Sequence, residues 1–484
     1  MYSVETLLKN PVFMMFHQIC QIPHGSNNEY ELGRWIVKWA IMKGFEATQD
    51  DMGNVLIRCK ASKECSNAPS IMLQAHLDMV CVKAPCYVHD FTKDPIRWIV
   101  DGDYLSTGHV TTLGADDGIG VALALALLDD NFIHPALEIL FTVGEEDDFR
   151  GVSFFDSTQI TSKLLINLDH SNEHEVLCGS CGGMQVTFSL PVCRIPVPSD
   201  WSAFQLSIAG LIGGHSGKDV NKGHGNANVL LARMIDAISL KSKCAISDMT
   251  GGNFRLSIPR NAEAIICIPD SSIKSVKDVL DNCYSMFCNE FPIASNSLKY
   301  SFEETTTPSS CVNIDSIIYA MMLIPDGIYA MSEALPDQVV ASDNLGEVYL
   351  RDSHLELILE IRSEQNSVRD YLFERMRLLA TLLGGECKSS NSYPSWFYKP
   401  DSKLVSICKE AHNRLYGSMP TCSMVHAGLE VGYFYEKMGT IEAVSIGPNI
   451  WNLHTIDEQV SISSVQTFYR YLKEILSIIG QSSN

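Results

Sequence analysis

Residues 71–78 read Ile71-Met72-Leu73-Gln74-Ala75-His76-Leu77-Asp78, and residues 118–128 read Gly118-Ile119-Gly120-Val121-Ala122-Leu123-Ala124-Leu125-Ala126-Leu127-Leu128. The first is a short apolar run that ends in a histidine and an acid, which predicts a buried strand. The second is apolar on every side, which predicts a helix packed inside the protein. Outward from these, residues 6–22 predict a helix ended by Pro23, 29–43 a second helix ended by Gly44, and 54–58 a short strand. Residues 137–143 and 164–168 predict further strands. Strand and helix in alternation argue for an α/β fold with helices on both faces of a mostly parallel sheet.

From Gln185 to Gly385 the texture changes to strands with longer polar connections, the pattern of an α+β domain. Within it, strand-like 263–268 precedes a helix starting near Ser275-Val276-Lys277-Asp278, and strand-like 355–361 precedes one near Ser367-Val368-Arg369-Asp370. The echo suggests a duplicated module. Turn-rich residues 389–400 follow, then a helix over 403–415, a strand over 442–446 and a helix over 462–479, which restore the α/β pattern. The expected architecture is one α/β domain, 1–184 plus 386–484, interrupted by an inserted domain, 185–385.

The 484 residues are 46% hydrophobic and 19% charged, which excludes wholesale disorder. Lys and Arg total 36 against 57 Asp and Glu, and the net charge of −21 opposes binding to nucleic acid or anionic lipid. The longest strongly apolar run, 119–128, is far short of the roughly 20 residues that span a bilayer. With no basic leader at the N-terminus, the chain reads as cytoplasmic. The 16 cysteines are spread over a chain long enough to build a core without staples, so they are expected to be reduced. Cys178 and Cys181 have redox or zinc spacing, but the flanking Gly179, Gly182 and Gly183 favour a turn between strands.

Five segments place His, Asp or Glu at expected strand ends or at the start of the buried helix, and the carboxyl edge of an α/β sheet is where such folds build sites. His76 and Asp78, two apart, share a strand face, so Asp78 can orient the His76 ring as a metal ligand needs; a satisfied polar pair is the alternative. In Gly114-Ala115-Asp116-Asp117-Gly118 an acid can cap the helix, or its two oxygens can bridge two cations. In Gly144-Glu145-Glu146-Asp147-Asp148 four adjacent acids repel one another unless a cation or water surrounds them. Asn167-Leu168-Asp169-His170 and the stretch from Gly447 to His454 complete the set. Two histidines and three carboxylates suit a pair of zinc, manganese or cobalt ions better than a structural zinc, which draws on cysteine.

The matching motifs extend from end to end: Ile22-Pro23-His24-Gly25-Ser26, Ala75-His76-Leu77-Asp78, Thr112-Leu113-Gly114-Ala115-Asp116-Asp117-Gly118-Ile119-Gly120, Glu145-Glu146, Gly213-Gly214-His215-Ser216-Gly217, Gly225-Asn226-Ala227-Asn228, Ile258-Pro259-Arg260, His426-Ala427-Gly428-Leu429-Glu430, and Ser445-Ile446-Gly447-Pro448 ahead of His454. On these the chain resembles the aminoacyl-histidine dipeptidases (Xaa-His dipeptidase, peptidase D) of the dinuclear-zinc aminoacylase and dipeptidase family. The resemblance implies a zinc-peptidase catalytic domain with an inserted lid, and two divalent ions held by His76, Asp116, Glu146, Asp169 and His454, with Asp116 bridging. It implies Glu145 as general base, Asp78 behind the histidine ligand and His215 as the lid donor to the oxyanion. Arg362 matches the arginine that grips the substrate carboxylate, and Asn228, His426 and Glu430 fall at substrate-binding positions. Asp117 stands where the subfamily has Asn, and Asn452-Leu453 where a Gly-Pro-like pair is usual.

The implied activity is metal-dependent hydrolysis of dipeptides, unspecific or favouring a C-terminal histidine, by a monomer or homodimer. An N-acyl amino acid amidohydrolase would need the same ions and base. A silent binding protein on the same fold need not keep them.

Overall fold

The computed structural model describes residues 2–481. The chain folds as two units, one of residues 2–179, 398–424 and 429–481, the other of 180–397 and 425–428. The strands Gly182–Pro191 and Glu386–Tyr393 pair with each other in the second unit's sheet, so the chain changes units at 179/180 and 397/398 rather than at the 184/185 and 385/386 read from sequence texture.

In the first unit the main sheet has the order Glu46–Gln49, Val55–Cys59, Leu137–Thr142, Ile71–His76, Leu164–Asn167, Glu442–Ser445, Glu175–Ser180, Thr421–Val425. The four strands from Leu137–Thr142 to Glu442–Ser445 are parallel. On either side the pairs Val55–Cys59 with Leu137–Thr142 and Glu442–Ser445 with Glu175–Ser180 are antiparallel, so the parallel character is confined to the centre. All six residues of Ile71–His76 and of Leu137–Thr142 are buried, as parallel strands covered on both faces require.

Helix Ala115–Leu128 lies against Ile71–His76 and helix Pro11–Cys20. Leu123 and Leu125 are fully buried; each stabilises by roughly 1.5–3 kcal/mol, and truncation to alanine costs about 2–5 kcal/mol. A Cβ on Gly118 would lie 2.9 Å from Phe16, so the two helices approach as closely as they do only because residue 118 has no side chain. The single helix expected over 6–22 is two, Val4–Leu7 and Pro11–Cys20. Asn10 caps the second, its Oδ1 accepting from the Val12 amide at 3.0 Å, and Pro11 takes the first helical position.

A smaller sheet pairs the hairpin Ile450–Trp451 and Gln459–Ser461 with Tyr104–Ser106 and Ile99–Asp101. These strands are only two or three residues long, too short to leave a periodic signal.

The second unit is built on an antiparallel sheet whose main path is Lys299–Thr305, Trp201–Ala209, Ala262–Pro269, Ala245–Gly251, Val339–Leu350, His354–Ser363, Gly182–Pro191, Glu386–Tyr393. Helix Ala227–Ser239 packs on Trp201–Ala209, Ala262–Pro269 and Val339–Leu350, Ile273–Glu290 on Lys299–Thr305, and Asn366–Leu382 on His354–Ser363, Gly182–Pro191 and Glu386–Tyr393, while Asp315–Leu323 packs against helices Ala227–Ser239 and Asn366–Leu382. Phe188, Ile266, Leu280, Leu357 and Leu372 lie in one apolar core between sheet and helices. Cys178 and Cys181 are buried thiols, not joined in a disulfide, around the turn between Glu175–Ser180 and Gly182–Pro191. Among the described residues no helix is long and apolar enough to cross a membrane.

Candidate metal centre

Four parallel strands end at one edge of the first unit's sheet, and each delivers site residues there. Ile71–His76 ends in His76 with Asp78 two residues on, Leu137–Thr142 runs into Glu145 and Glu146, Leu164–Asn167 into Asp169, and Glu442–Ser445 into the hairpin that carries His454. Asp116 stands at the start of helix Ala115–Leu128, where φ −85° and ψ 107° depart from helical geometry.

The Asp116 carboxylate faces two ways. Its Oδ1 is 3.3 Å from His76 Nε2, which is itself 3.8 Å from Asp169 Oδ1. Its Oδ2 is 3.2 Å from His454 Nε2, which is 2.7 Å from Glu146 Oε1. Ligand atoms around a tetrahedral zinc with bonds of 2.0–2.1 Å are about 3.3 Å apart, the spacing of Asp116 from each histidine, while the His76–Asp169 pair is wider and the His454–Glu146 pair closer. Glu146 Oε1 is buried and faces His454 Nε2 at 2.7 Å. His76, Asp116 and Glu146 form one compact donor set, and His76, Asp117 and Asp169 another.

The electrostatics agree with that donor chemistry. Burial, then the Asp116 charge, push Asp169 up to about 8. Burial raises Glu145 well above the carboxylate range, with Asp169 and Glu146 adding to it against the pull of His76. Burial would raise Asp116 too, but hydrogen bonds to His454 and His76 outweigh it and hold it low. His454 is raised to about 10 by Asp116 and Glu146. Protons held by these groups would have to leave if cations bound there. Burial and then Asp169 also push Asp117 well above its ordinary value, and a protonated Asp117 carries no more charge than asparagine.

Buried acceptors hold the site's main chain. His76 Nδ1 is 3.0 Å from the Asp78 carbonyl and 3.5 Å from its carboxylate, which leaves Nε2 facing Asp116 and Asp169. The Asp78 carboxylate accepts from Ser26 Oγ (2.8 Å) and from the amides of Glu145 (3.0 Å) and Glu146 (3.2 Å). Glu29 takes the Gly144 amide and Arg150, and Asn54 takes the Val143 amide. Gly144 has φ +69°, and a Cβ there would lie 2.5 Å from Arg150. Glu430 Oε2 accepts from Gln74 (2.6 Å) and Thr142 (2.7 Å), while Oε1 is buried without a hydrogen bond among the described residues. Sequence reasoning missed Glu29 and Asn54, since a single buried acceptor leaves no periodicity or motif.

The remaining residues singled out from sequence lie in the second unit. His215 Nδ1 accepts from the amides of Gly217 (3.0 Å) and Lys218 (3.1 Å), which puts the ring proton on Nε2. Burial, then the charges of Arg362 and Lys218, hold His215 down at about 4, so it is a neutral donor. Arg362 is 3% exposed; it donates to Tyr393 Oη at 2.7 Å and its buried Nε has no hydrogen-bond partner among the described residues. Burial and the same arginine hold His426 at about 3, between Cys181 Sγ (3.0 Å) and Ser342 Oγ (2.6 Å). Asn228 is fully buried, donating to the carbonyls of Leu345 and Gly251.

The chain is 35% identical over 483 residues to the cytosol non-specific dipeptidase of Escherichia coli strain K12, covering 99% of each chain. The crystal structure of aminoacylhistidine dipeptidase from Vibrio alginolyticus superposes with a TM-score of 0.92 at 31% identity, over 99% of this chain and 98% of that one. Aminopeptidase PepT from Bacillus cereus, at 16% identity and a TM-score of 0.57 over 99% of both chains, shares the fold. The family model that matches residues 72–477 is that of peptidase family M20/M25/M40, and with these motifs at one sheet edge and relatives alike over their full length, the chain belongs to that family.

Proposed function

We propose that the protein is a dinuclear metallo-dipeptidase. The observation that carries the reading is the double aspect of Asp116, one oxygen toward His76 and Asp169, the other toward His454 and Glu146. These five residues would hold two divalent ions; zinc suits the mix of imidazole and carboxylate, with manganese or cobalt as alternatives. When bound, such a pair supplies Lewis acidity at the scissile carbonyl and lowers the pKa of water.

The chain's own residues do the rest. Glu145, kept basic enough by burial to take a proton, removes one from the attacking water and returns it to the leaving amine. Asp78 holds Glu145 and Glu146 in place through their amides. His215, neutral with its proton on Nε2, donates to the developing oxyanion. Arg362 pairs with the substrate carboxylate, a role its unused buried Nε supports. Asn228, His426 and Glu430 shape the surroundings of the substrate. The relative's description as a cytosol non-specific dipeptidase and the structural neighbour's as an aminoacylhistidine dipeptidase support dipeptide substrates and a cytoplasmic location.

The test is hydrolysis of a dipeptide panel, including Xaa-His members, alongside N-acetyl amino acids, before and after chelation. Dipeptide cleavage that stops on chelation and returns with zinc or manganese is expected. Cleavage of N-acetyl amino acids in preference to every dipeptide would replace the reading with an amidohydrolase.

A further inference from the structure

Four consecutive main-chain amides converge on one buried carboxylate in the first unit. Glu458 is 2% exposed. Its Oε2 accepts from the amides of Leu113 (2.7 Å) and Gly114 (3.1 Å), and its Oε1 from those of Ala115 (2.8 Å) and Asp116 (3.3 Å). The left-handed turn at Gly114, φ +70°, aims successive N–H groups the same way, the arrangement that makes backbone amides an anion cradle. The last two belong to the first turn of helix Ala115–Leu128, whose amides have no partner within the helix. Such amides are ordinarily satisfied by a side chain just upstream, but Gly114 at that position has none. The acceptor instead comes from 343 residues along the chain.

Its origin matters because of what else its loop holds. Glu458 closes the hairpin loop between Ile450–Trp451 and Gln459–Ser461, in which His454 sits at φ +63°. The loop is tied within itself, the Glu458 amide donating to the Thr455 carbonyl and Asn452 Nδ2 to the Asp457 carbonyl. One side chain thus joins the loop that carries His454 to the turn that carries Asp116.

We infer that Glu458 is a positioning residue that sets Asp116 and His454 at ligand distance from each other. The inference rests on the metal reading above. Replacing one oxygen by an amide nitrogen would leave a donor facing two donors, so the turn would open where the clamp is lost. Glu138 provides the contrast. It is buried and accepts from the amides and hydroxyls of Thr161 and Ser162, a clamp of similar size on a segment that carries none of the proposed ligands.

Zinc titration of the metal-free full-length chain by calorimetry, with thermal unfolding of each protein, tests this. In Glu458→Gln zinc affinity should fall by about 10–100-fold, the loss usual when a group supporting a ligand is removed. Glu458→Asp keeps the charge but is one methylene too short to reach all four amides, so a smaller loss is expected, and it keeps the test open if the glutamine variant does not fold. Glu138→Gln should bind zinc like the wild type even where it melts earlier. Wild-type zinc affinity in Glu458→Gln, or in Glu458→Asp should the first not fold, would overturn the inference, as would an equal loss in Glu138→Gln. A wild-type chain that binds no zinc would contradict the metal reading instead.

Discussion

In the first unit Asp116, Asp117, Glu145, Glu146 and Asp169 crowd around two histidines; burial and neighbouring carboxylates raise Asp117, Glu145 and Asp169, and Asp116 and Glu146 raise His454. In the second, Arg362 stands near His215 and His426 and, with burial, drives protons off. The same physical cause, charge held away from water, therefore leaves one unit with an appetite for cations and the other with a fixed positive charge and neutral donors suited to an anion. Under the proposed function this contrast would divide the chemistry, with ions and base on one unit and recognition of carboxylate and oxyanion on the other.

The sharpest way to break this division is to remove a function from one unit while leaving its ions. Glu145→Gln should lower turnover by about 10²–10⁴-fold with metal content unchanged, measured by steady-state kinetics and metal analysis together. Loss of metal in that variant would mean that the adjacent glutamates have exchanged roles. On the other unit, His215→Ala should cost about 10²–10³ in turnover and leave metal binding intact, since the proposal makes its Nε2–H an oxyanion donor and not a ligand. Mixing the two variants should recover no activity if each chain uses its own His215; recovery would show the histidine serving a second copy.

A smaller effect probes the arginine. A dipeptide and its C-terminal amide should differ by about 1.5–3 kcal/mol in kcat/KM, the range for a charge-assisted hydrogen bond, and the difference should vanish in Arg362→Met. Equal rates in the wild type would remove the clamp and leave the metal chemistry untouched. The smallest effect is on stability. His426 and His215 have folded-state values of about 3 and about 4, below the ordinary 6.5, so on acidification the unfolded chain takes up protons that the folded unit refuses. Stability should fall as pH drops below about 6.5 and level off near those folded values, with a slope of at most about 1.4 kcal/mol per pH unit for each histidine, reduced by partial exposure. Urea midpoints at pH 7 and pH 5 should converge in His426→Asn relative to the wild type; identical pH dependence would contradict the neutral histidine.

The two units also differed in how plainly they could be read. The buried strand 71–76 and helix 115–128 announce themselves because an apolar run leaves a periodic trace, and the site residues of the first unit follow because they sit directly at strand ends. The break at Asn10-Pro11 passed unread because the apolar pattern continues across it. The hairpin that carries His454 has two- and three-residue strands, so its place beside Tyr104–Ser106 comes from pairing over a long separation that local pattern does not encode. In the second unit the sequence alone leaves room for Arg362 as a solvated edge charge, and only the fold shows it buried and hydrogen-bonded to Tyr393. Asp78 was legible as a partner of His76, but its grip on the Glu145 and Glu146 amides was not, since main-chain acceptors are set by the folded path.

The claim on which the division rests is that Asp116 bridges two ions, and metal analysis after equilibrium dialysis against zinc tests it most directly. The wild type should retain two ions per chain, and Asp116→Ala, which removes the one carboxylate facing both donor groups, should lose both tight sites together with activity. Two tightly held ions in folded Asp116→Ala would contradict the account.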